Sequence, residues 1–146
     1  MASVDQRIRE LLVEQRLLEG TARIYQSRLE LINASLTDIY MANQTLEGIK
    51  GKPKGSETLA PIGAGSFVKT EVADTEKIIM GIGAGVALEK SVDDSIFELK
   101  SRQAELERIR TSLHEQLTQV ATKLEDDRSQ ISELIKKKGG ESIQVI

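Results

Sequence analysis

The sequence predicts an α+β fold: a long antiparallel two-helix coiled coil joined by two central β-hairpins that form an intersubunit β-barrel. Three observations predict it. Apolar residues recur at heptad spacing on both sides of the centre, and the centre carries the tetrapeptide Ile-Gly-Ala-Gly twice, at residues 62–65 and 82–85. Two Tyr, two Phe and no Trp in 146 residues are too few for a large aromatic core. The helices are therefore expected to pair with each other, and the strands to associate with other subunits.

The first helix is predicted from residue 3 to about residue 48. Its apolar residues step by alternating threes and fours for about six heptads, which favours a coiled coil over an ordinary amphipathic helix. Ser3 and Gln6 form a candidate capping box, and Gly20 on the outer face costs about 1 kcal/mol relative to Ala. The predicted seam consists of Val4, Ile8, Leu11, Leu18, Ala22, Tyr25, Leu29, Ile32, Leu36, Ile39 and Leu46, interrupted by Gln15 and Asn43.

The second helix is predicted from residue 91 to residue 138. Ser91 and Asp94 supply a cap, and Gly139 with Gly140 favours a stop. Around Arg110 the neighbouring Ile109 is expected to take over the seam as a local stagger. The predicted seam consists of Val92, Ile96, Leu99, Leu106, Leu113, Leu117, Val120, Leu124, Ile131 and Leu134, with Gln103, Arg110 and Asp127 at its remaining positions.

Both helices span about 45 residues, or roughly 65 to 70 Å. Read antiparallel, they place Leu46 near Val92 and Val4 near Leu134, in a register good to about half a heptad. The chain then divides into a first helix (residues 1–50), a double hairpin (51–90), a second helix (91–138) and a flexible tail (139–146).

Four short strands are predicted at residues 59–62, 66–72, 77–82 and 86–88, because these segments are rich in Val, Ile and Phe. Two three-residue Gly-Ala-Gly turns close the hairpins, residues 73–76 link them, and pairing between the second and third strands stays open. Each hairpin is expected to have one apolar face and open edges, which several subunits would close into a shared barrel. The predicted oligomerisation residues are Ile62, Gly63, Gly65, Phe67, Val68, Val72, Ile78, Met80, Ile82, Gly83, Gly85, Val86 and Leu88.

The glycine segments could instead cradle phosphate, but their spacing does not fit. A dinucleotide fingerprint needs a third glycine after two intervening residues, where this chain has Val68 and Leu88. No Gly-Lys-Ser or Gly-Lys-Thr of a P-loop is present. The segments are therefore interpreted as turns, and no cofactor is expected.

Composition argues against several other classes of function. A net charge of −3 gives no basic field for nucleic acid, and the absence of cysteine removes thiolate chemistry. The one histidine, His114, is accompanied by no cysteine, second histidine or obvious nucleophile and is expected on the surface or beside the seam. The polar first residues predict no secretory leader, and the apolar run at residues 78–88 is far shorter than the roughly 20 residues of a membrane span. A protein without catalytic, metal or membrane sites is expected, in the cytoplasm.

Apolar residues at the very end of a two-helix coil have neighbours on one side only. They are expected to be partly exposed and to suit weak binding of many partners. The residues predicted for this role are Val4, Ile8, Leu11, Leu12, Ile131, Leu134, Ile135, Ile143, Val145 and Ile146.

The strings PIGAGSFV at residues 61–68 and GIGAGVALEK at residues 81–90 complete a pattern of helix, double hairpin and helix. In this the chain closely resembles the archaeal alpha subunits of the prefoldin family. The resemblance implies a heterohexamer of two such subunits and four single-hairpin beta subunits, with coiled coils hanging from a double β-barrel. It also implies that the assembly holds non-native client proteins at the coil tips without ATP and passes them to a group II chaperonin.

Two rival classes stay open on the sequence. One is a structural coiled-coil scaffold or tether, which needs one fixed partner. The other, more distant, is a nucleotide-dependent enzyme.

Overall fold

The computed structural model describes residues 3–145, and their side chains as far as residue 139. In the chain two long helices flank two hairpins, which confirms the predicted α+β coiled coil with hairpins, while the intersubunit barrel stays a prediction. No helix in the described part of the chain is both long and apolar enough to cross a membrane. In chain order the elements are α1 (Val4–Ile49), β1 (Glu57–Gly63), β2 (Ser66–Glu71), β3 (Lys77–Gly83), β4 (Val86–Ser91) and α2 (Val92–Val145).

Both helix starts follow the predicted caps. The backbone N–H of Gln6 donates to Ser3 Oγ over 3.1 Å, and the N–H of Asp94 donates to Ser91 Oγ over the same distance. Each bond satisfies one of the donors that a helix start leaves without an intrahelical acceptor. The local sequence therefore determines where α1 and α2 begin.

The end of α2 differs from the prediction. The helix continues through Gly139 and Gly140 to Val145, so the expected stop and the separate tail from residue 139 are not found. Glycine in a helix interior costs about 1 kcal/mol relative to Ala, but it keeps the N–H that the helix needs. Two glycines without a proline therefore weaken this segment without ending it.

The structure forms two compact units, one of which combines α1 as far as Asn33 with α2 from Arg108 onward. The helices run antiparallel in this unit, because Glu14 pairs with Lys123 at 3.2 Å and Asp5 pairs with Lys138. The hydrogen bond from the Lys138 ammonium lowers the pKa of the Asp5 carboxyl. The Glu14 pair lies within one residue of the predicted register, whereas Asp5 reaches a lysine five residues beyond its predicted opposite position.

The predicted seam is confirmed in this unit, since its residues are buried or half-buried. Leu29 and Leu113 are buried and Tyr25 is half-buried. The expected stagger at Arg110 is wrong, because Arg110 is half-buried in the seam while Ile109 is exposed. A long arginine stem can cover apolar surface while its charged end reaches water, so no change of winding is needed.

The second unit, Ala34–Glu107, contains the strands and the adjoining parts of both helices. Lys50 pairs with Asp93 at 2.6 Å, and Lys100 pairs with Glu47 at 3.7 Å. Its apolar cluster joins α1, α2 and one strand, and consists of Leu46, Met80, Val92, Ile96 and Leu99 with Ile39, Ala42, Ile49 and Ile78 around them.

The four strands form two separate antiparallel sheets, β1 with β2 and β3 with β4. Within residues 3–145, β2 and β3 therefore belong to different sheets, which answers the question that the sequence left open. Every pair in the first hairpin recurs twenty positions later in the second: Ala60 faces Val68, and Met80 faces Leu88. The repeat thus extends beyond the tetrapeptide to the register of the whole hairpin.

The predicted three-residue turns are wrong in detail. Gly63 pairs with Ser66, which leaves the two-residue loop Ala64-Gly65 with φ of 51° and 71°. Positive φ at both loop residues is the signature of a type I′ turn, whose twist matches that of the strands. Gly63 itself has φ of 102° and absorbs a register shift at the end of β1.

Candidate functional site

The first hairpin exposes apolar side chains on both faces. Phe67 and Val68 are both exposed, and as strand neighbours they point to opposite faces of the sheet. The predicted single apolar face is therefore wrong for this hairpin. Ile62 is also exposed, whereas Val72 is half-buried just beyond β2.

The second hairpin buries part of one face against the helices. Met80 is 5% exposed and lies in the cluster of the chain's own unit, with Ile78 half-buried beside it. The prediction that Met80 is available to other subunits is wrong, because Leu46 and Ile96 already cover this face. The remaining predicted apolar residues of this hairpin, Ile82, Val86 and Leu88, are exposed.

Two exposed apolar residues of the hairpins were not predicted. Leu59 is exposed in β1, and Ile79, its counterpart twenty positions later, is 79% exposed in β3. Ile79 lies between Ile78 and Met80 and so points away from the face that docks on the helices. A comparison of the whole repeat, and not the tetrapeptide alone, would have found this pair.

The link between the hairpins is held by Asp74. Its Oδ1 accepts hydrogen bonds from the backbone N–H groups of Glu76 (2.8 Å) and Lys77 (3.1 Å). These two bonds lower the pKa of the Asp74 carboxyl. The turn therefore sets where β3 begins after β2 has ended.

The hairpins present open edges and apolar faces to other chains. In the described part of the chain each strand pairs with one other strand, so every hairpin keeps two open edges. Open edges and exposed apolar faces are surfaces that another chain can cover. The described residues contain no group of three or more His, Cys, Asp or Glu that could hold a metal ion, and His114 is exposed as predicted.

The other candidate surface is the end of the coiled coil that is distant from the hairpins in the sequence. We call it the coil end, and its described residues are Val4, Ile8, Leu11, Leu12, Ile131, Leu134 and Ile135. Leu12 and Ile135 are exposed there, and most of the others are half-buried. Leu11 is 0% exposed, so its predicted exposure is wrong: as a seam residue it is enclosed between the helices. The half-buried residues are Val4, Ile8, Ile131 and Leu134, while the side chains of Ile143, Val145 and Ile146 lie outside the described ones.

A buried carboxylate lies in the seam near the coil end. Asp127 is 0% exposed. The Nζ of Lys123 lies 3.2 Å from Asp127 Oδ1 and also 3.2 Å from Glu14 Oε1. Lys123 is the ion-pair partner of this carboxylate within the seam. Asp127 first and Glu14 second raise the pKa of Lys123. A buried charge paired in this way stabilises the seam less than an apolar residue would.

The fold defines a class of coiled-coil subunits whose hairpins leave strand edges and apolar faces open to other chains. The particular family follows from comparison. The family model described as Prefoldin subunit matches residues 18–137, which is most of the chain. The chain belongs to the prefoldin family.

Its relatives include archaeal alpha subunits, which confirms the resemblance seen in the sequence. Prefoldin subunit alpha 1 of Thermococcus kodakarensis is 38% identical over 70% of this chain and 70% of its own length. Prefoldin subunit alpha of Methanopyrus kandleri is 33% identical over 78% of this chain and 73% of its own. A chain from the cryo-EM structure of filamentous PFD from Methanocaldococcus jannaschii shares the fold, with a TM-score of 0.64, 18% identity, and coverage of 77% of this chain and 93% of that one.

Prefoldin subunits form oligomeric complexes with other prefoldin subunits. Prefoldins act as molecular chaperones, and the relatives are chaperone subunits that are not known as enzymes. The chain is therefore a subunit of a molecular chaperone.

Proposed function

We propose that this chain is a subunit of an ATP-independent holdase of the cytoplasm. It captures non-native proteins at the coil end and delivers them to a group II chaperonin. Two copies assemble with four beta subunits. The observation that carries the proposal is the exposure of Leu12 and Ile135 at the coil end of a chaperone subunit.

The coil end has the composition of an unselective binding surface. A shallow groove there is lined by Ile131 and Ile135, with Gln15, Arg128 and Lys136 around them. The two isoleucines offer apolar contact that does not depend on the sequence of an unfolded chain. Weak contacts of this kind become effective when several coils bind one client together.

The exposed hairpin faces support the assembly. Phe67 and Ile79 are exposed on strands whose edges are open, and closure into a barrel with other subunits would cover both. Partners with one hairpin each would complete the sheets.

The deciding experiment removes the coil end and keeps the hairpins. Deletion of residues 1–12 together with 132–146 is expected to abolish suppression of aggregation of an unfolded client. The mass of the complex formed with single-hairpin partners should be lowered only by the deleted residues. A truncated complex that still suppresses aggregation would refute capture at the coil end.

Point variants make the same test without shortening the helices. The double variant Leu12→Ser with Ile135→Ser is expected to weaken suppression of aggregation severalfold. Met41→Ser with Ile109→Ser is the matched control, since these apolar residues are also exposed but lie elsewhere on the helices. Equal losses in both double variants would show that general surface apolarity, and not the coil end, holds clients.

The rival interpretation is a structural tether with one fixed partner. Several unrelated denatured proteins should bind the complex while their native forms do not. Binding to a single native protein alone would favour the tether.

A further inference from the structure

Helix α1 carries a second line of apolar and small residues on the face that is not part of the seam. Its large members are exposed, and Leu31 is 70% exposed. Each position follows a seam position by two residues, so the line repeats with the same heptad spacing. We call it the outer stripe, and it consists of Val13, Leu17, Gly20, Ile24, Ser27 and Leu31.

The fold does not require this stripe. The outward face of a two-helix coiled coil is normally polar, because it meets only water. Helix α2 follows that rule in the same unit, since its equivalent positions are polar or charged: Arg108, Ser112, Glu115, Gln119, Thr122 and Asp126. The apolar character of the outer face is thus particular to α1.

Gly20 has no evident function within the chain. A Cβ at this position would meet nothing closer than the Arg23 guanidinium at 4.0 Å, so there is room for alanine. Glycine in the interior of a helix is nevertheless destabilising relative to alanine. A glycine on an open face is explained when the backbone of another molecule approaches it closely.

The order of residue sizes indicates what kind of molecule approaches. Leu17, Ile24 and Leu31 are large, while Gly20 and Ser27 lie between them as small residues. Large and small residues that alternate at heptad spacing match the knobs and holes of another helix. An irregular unfolded segment would not need that regularity.

Charges beside the stripe indicate the sign of the partner. Arg16 and Arg23 lie along one side of it and Arg28 along the other, and all three are exposed. The exposed Glu30 ends the first of these sides, so the flanks keep an excess of positive charge. Among the described residues the arginines in ion pairs are Arg7, Arg102 and Arg128. The three arginines beside the stripe are not among them, so their guanidinium groups can pair with a partner. They complement acidic residues and would repel the same stripe of a second copy.

We propose that the outer stripe docks an amphipathic helix of another polypeptide, with an apolar heptad face and acidic flanks. The stripe from Val13 to Leu31 is roughly 27 Å long at 1.5 Å per residue, enough for about five turns of the partner. The proposal goes beyond the holdase function, because the stripe contains no residue of the coil end or of the hairpins.

The test measures binding of labelled synthetic peptides to the full-length chain by fluorescence anisotropy. One probe of about three heptads has a Leu and Ala face with Glu flanks, the second has Lys flanks, and the third is a scrambled version of the first. The Glu-flanked peptide is expected to bind at least tenfold more tightly than either of the others. Equal affinity for the scrambled peptide would overturn the proposal.

Variants locate the site. Ile24→Ser should weaken binding of the Glu-flanked peptide about tenfold, while Ile109→Ser, an exposed apolar control on α2, should leave it unchanged. The coil-end variant Leu12→Ser with Ile135→Ser should also bind the peptide normally, which separates this site from the holdase function. A chain whose own sedimentation mass falls with Ile24→Ser would show that a second copy occupies the stripe, and the proposal would be wrong.

Gly20→Ala gives two effects of opposite sign. The melting temperature of the chain should rise by about 3 °C, because alanine is the better helix former. Affinity for the Glu-flanked peptide should fall about tenfold, because the added methyl group keeps the partner backbone away. A higher melting temperature with unchanged affinity would show that no helix packs closely at Gly20.

Discussion

The two hairpins are nearly identical in backbone and differ in what they bury. Their registers match at an offset of twenty residues, and Ala64 and Ala84 have φ of 51° and 50°. Only the second hairpin contributes to the apolar cluster, through Met80 and, beside it, Ile78. Their counterparts in the first hairpin are Ala60 and Thr58, which are smaller or polar. Turn geometry is therefore a local property of the repeat, whereas docking on the helices differs with these two side chains.

The closing bond at the base is the same in both hairpins. The N–H of Val72 donates to Ser56 O over 2.9 Å in the first, and the N–H of Val92, the first residue of α2, donates to Glu76 O over 2.8 Å in the second. The first hairpin has a further bond at its base, from the Gly55 N–H to Val72 O over 2.8 Å. The hairpins therefore differ in what they bury and not in how their strands are closed.

The largest expected effect is on assembly. Ile82→Asp should prevent closure of the second hairpin with its partners, because a carboxylate would be buried without a counter-charge. Light scattering should show loss of the complex, and Ile62→Asp should cause at least as great a loss. Ile82→Val is the conservative control and should assemble normally. An undiminished complex with Ile82→Asp would contradict closure through this hairpin.

The next largest effect is on the free energy of unfolding, and it tests whether Met80 anchors the second hairpin to the helices. Met80→Ala should lower the free energy of unfolding by about 2 to 5 kcal/mol, because it removes a buried side chain from the cluster. Leu88→Ala, the cross-strand neighbour on an exposed position, should cost less than about 1 kcal/mol. Urea unfolding of the full-length chain measures both, and equal losses would mean that Met80 does not anchor the hairpin.

The smallest effect should be the same in both hairpins. Ala64→Gly and Ala84→Gly should each stabilise the chain by up to about 1 kcal/mol, because glycine adopts a positive φ without strain. Ala87→Gly in β4 is the control and should destabilise, since strand glycine adds only flexibility. Thermal unfolding that gave opposite signs for the two turns would contradict their equivalence.

Much of the fold could be predicted because its signals are local or periodic. Ser3 and Ser91 cap the helices as expected, and the heptad seam is buried as the spacing requires. The turns were predicted as glycine turns, but their length was wrong because pairing of Gly63 with Ser66 depends on the opposite strand. Val4 and Leu12 at the coil end are partly exposed as expected, while their role in client binding stays a prediction.

The sequence by itself determined the helices, their antiparallel register and the paired hairpins, because capping, heptad spacing and glycine turns act over a few residues. Only the tertiary structure decided which apolar residues are buried and which are exposed to solvent. Leu11 and Met80 became buried while Ile79 and Ile109 stayed exposed, although all four are apolar. Burial depends on what a neighbouring element covers, and that neighbour is distant in the sequence.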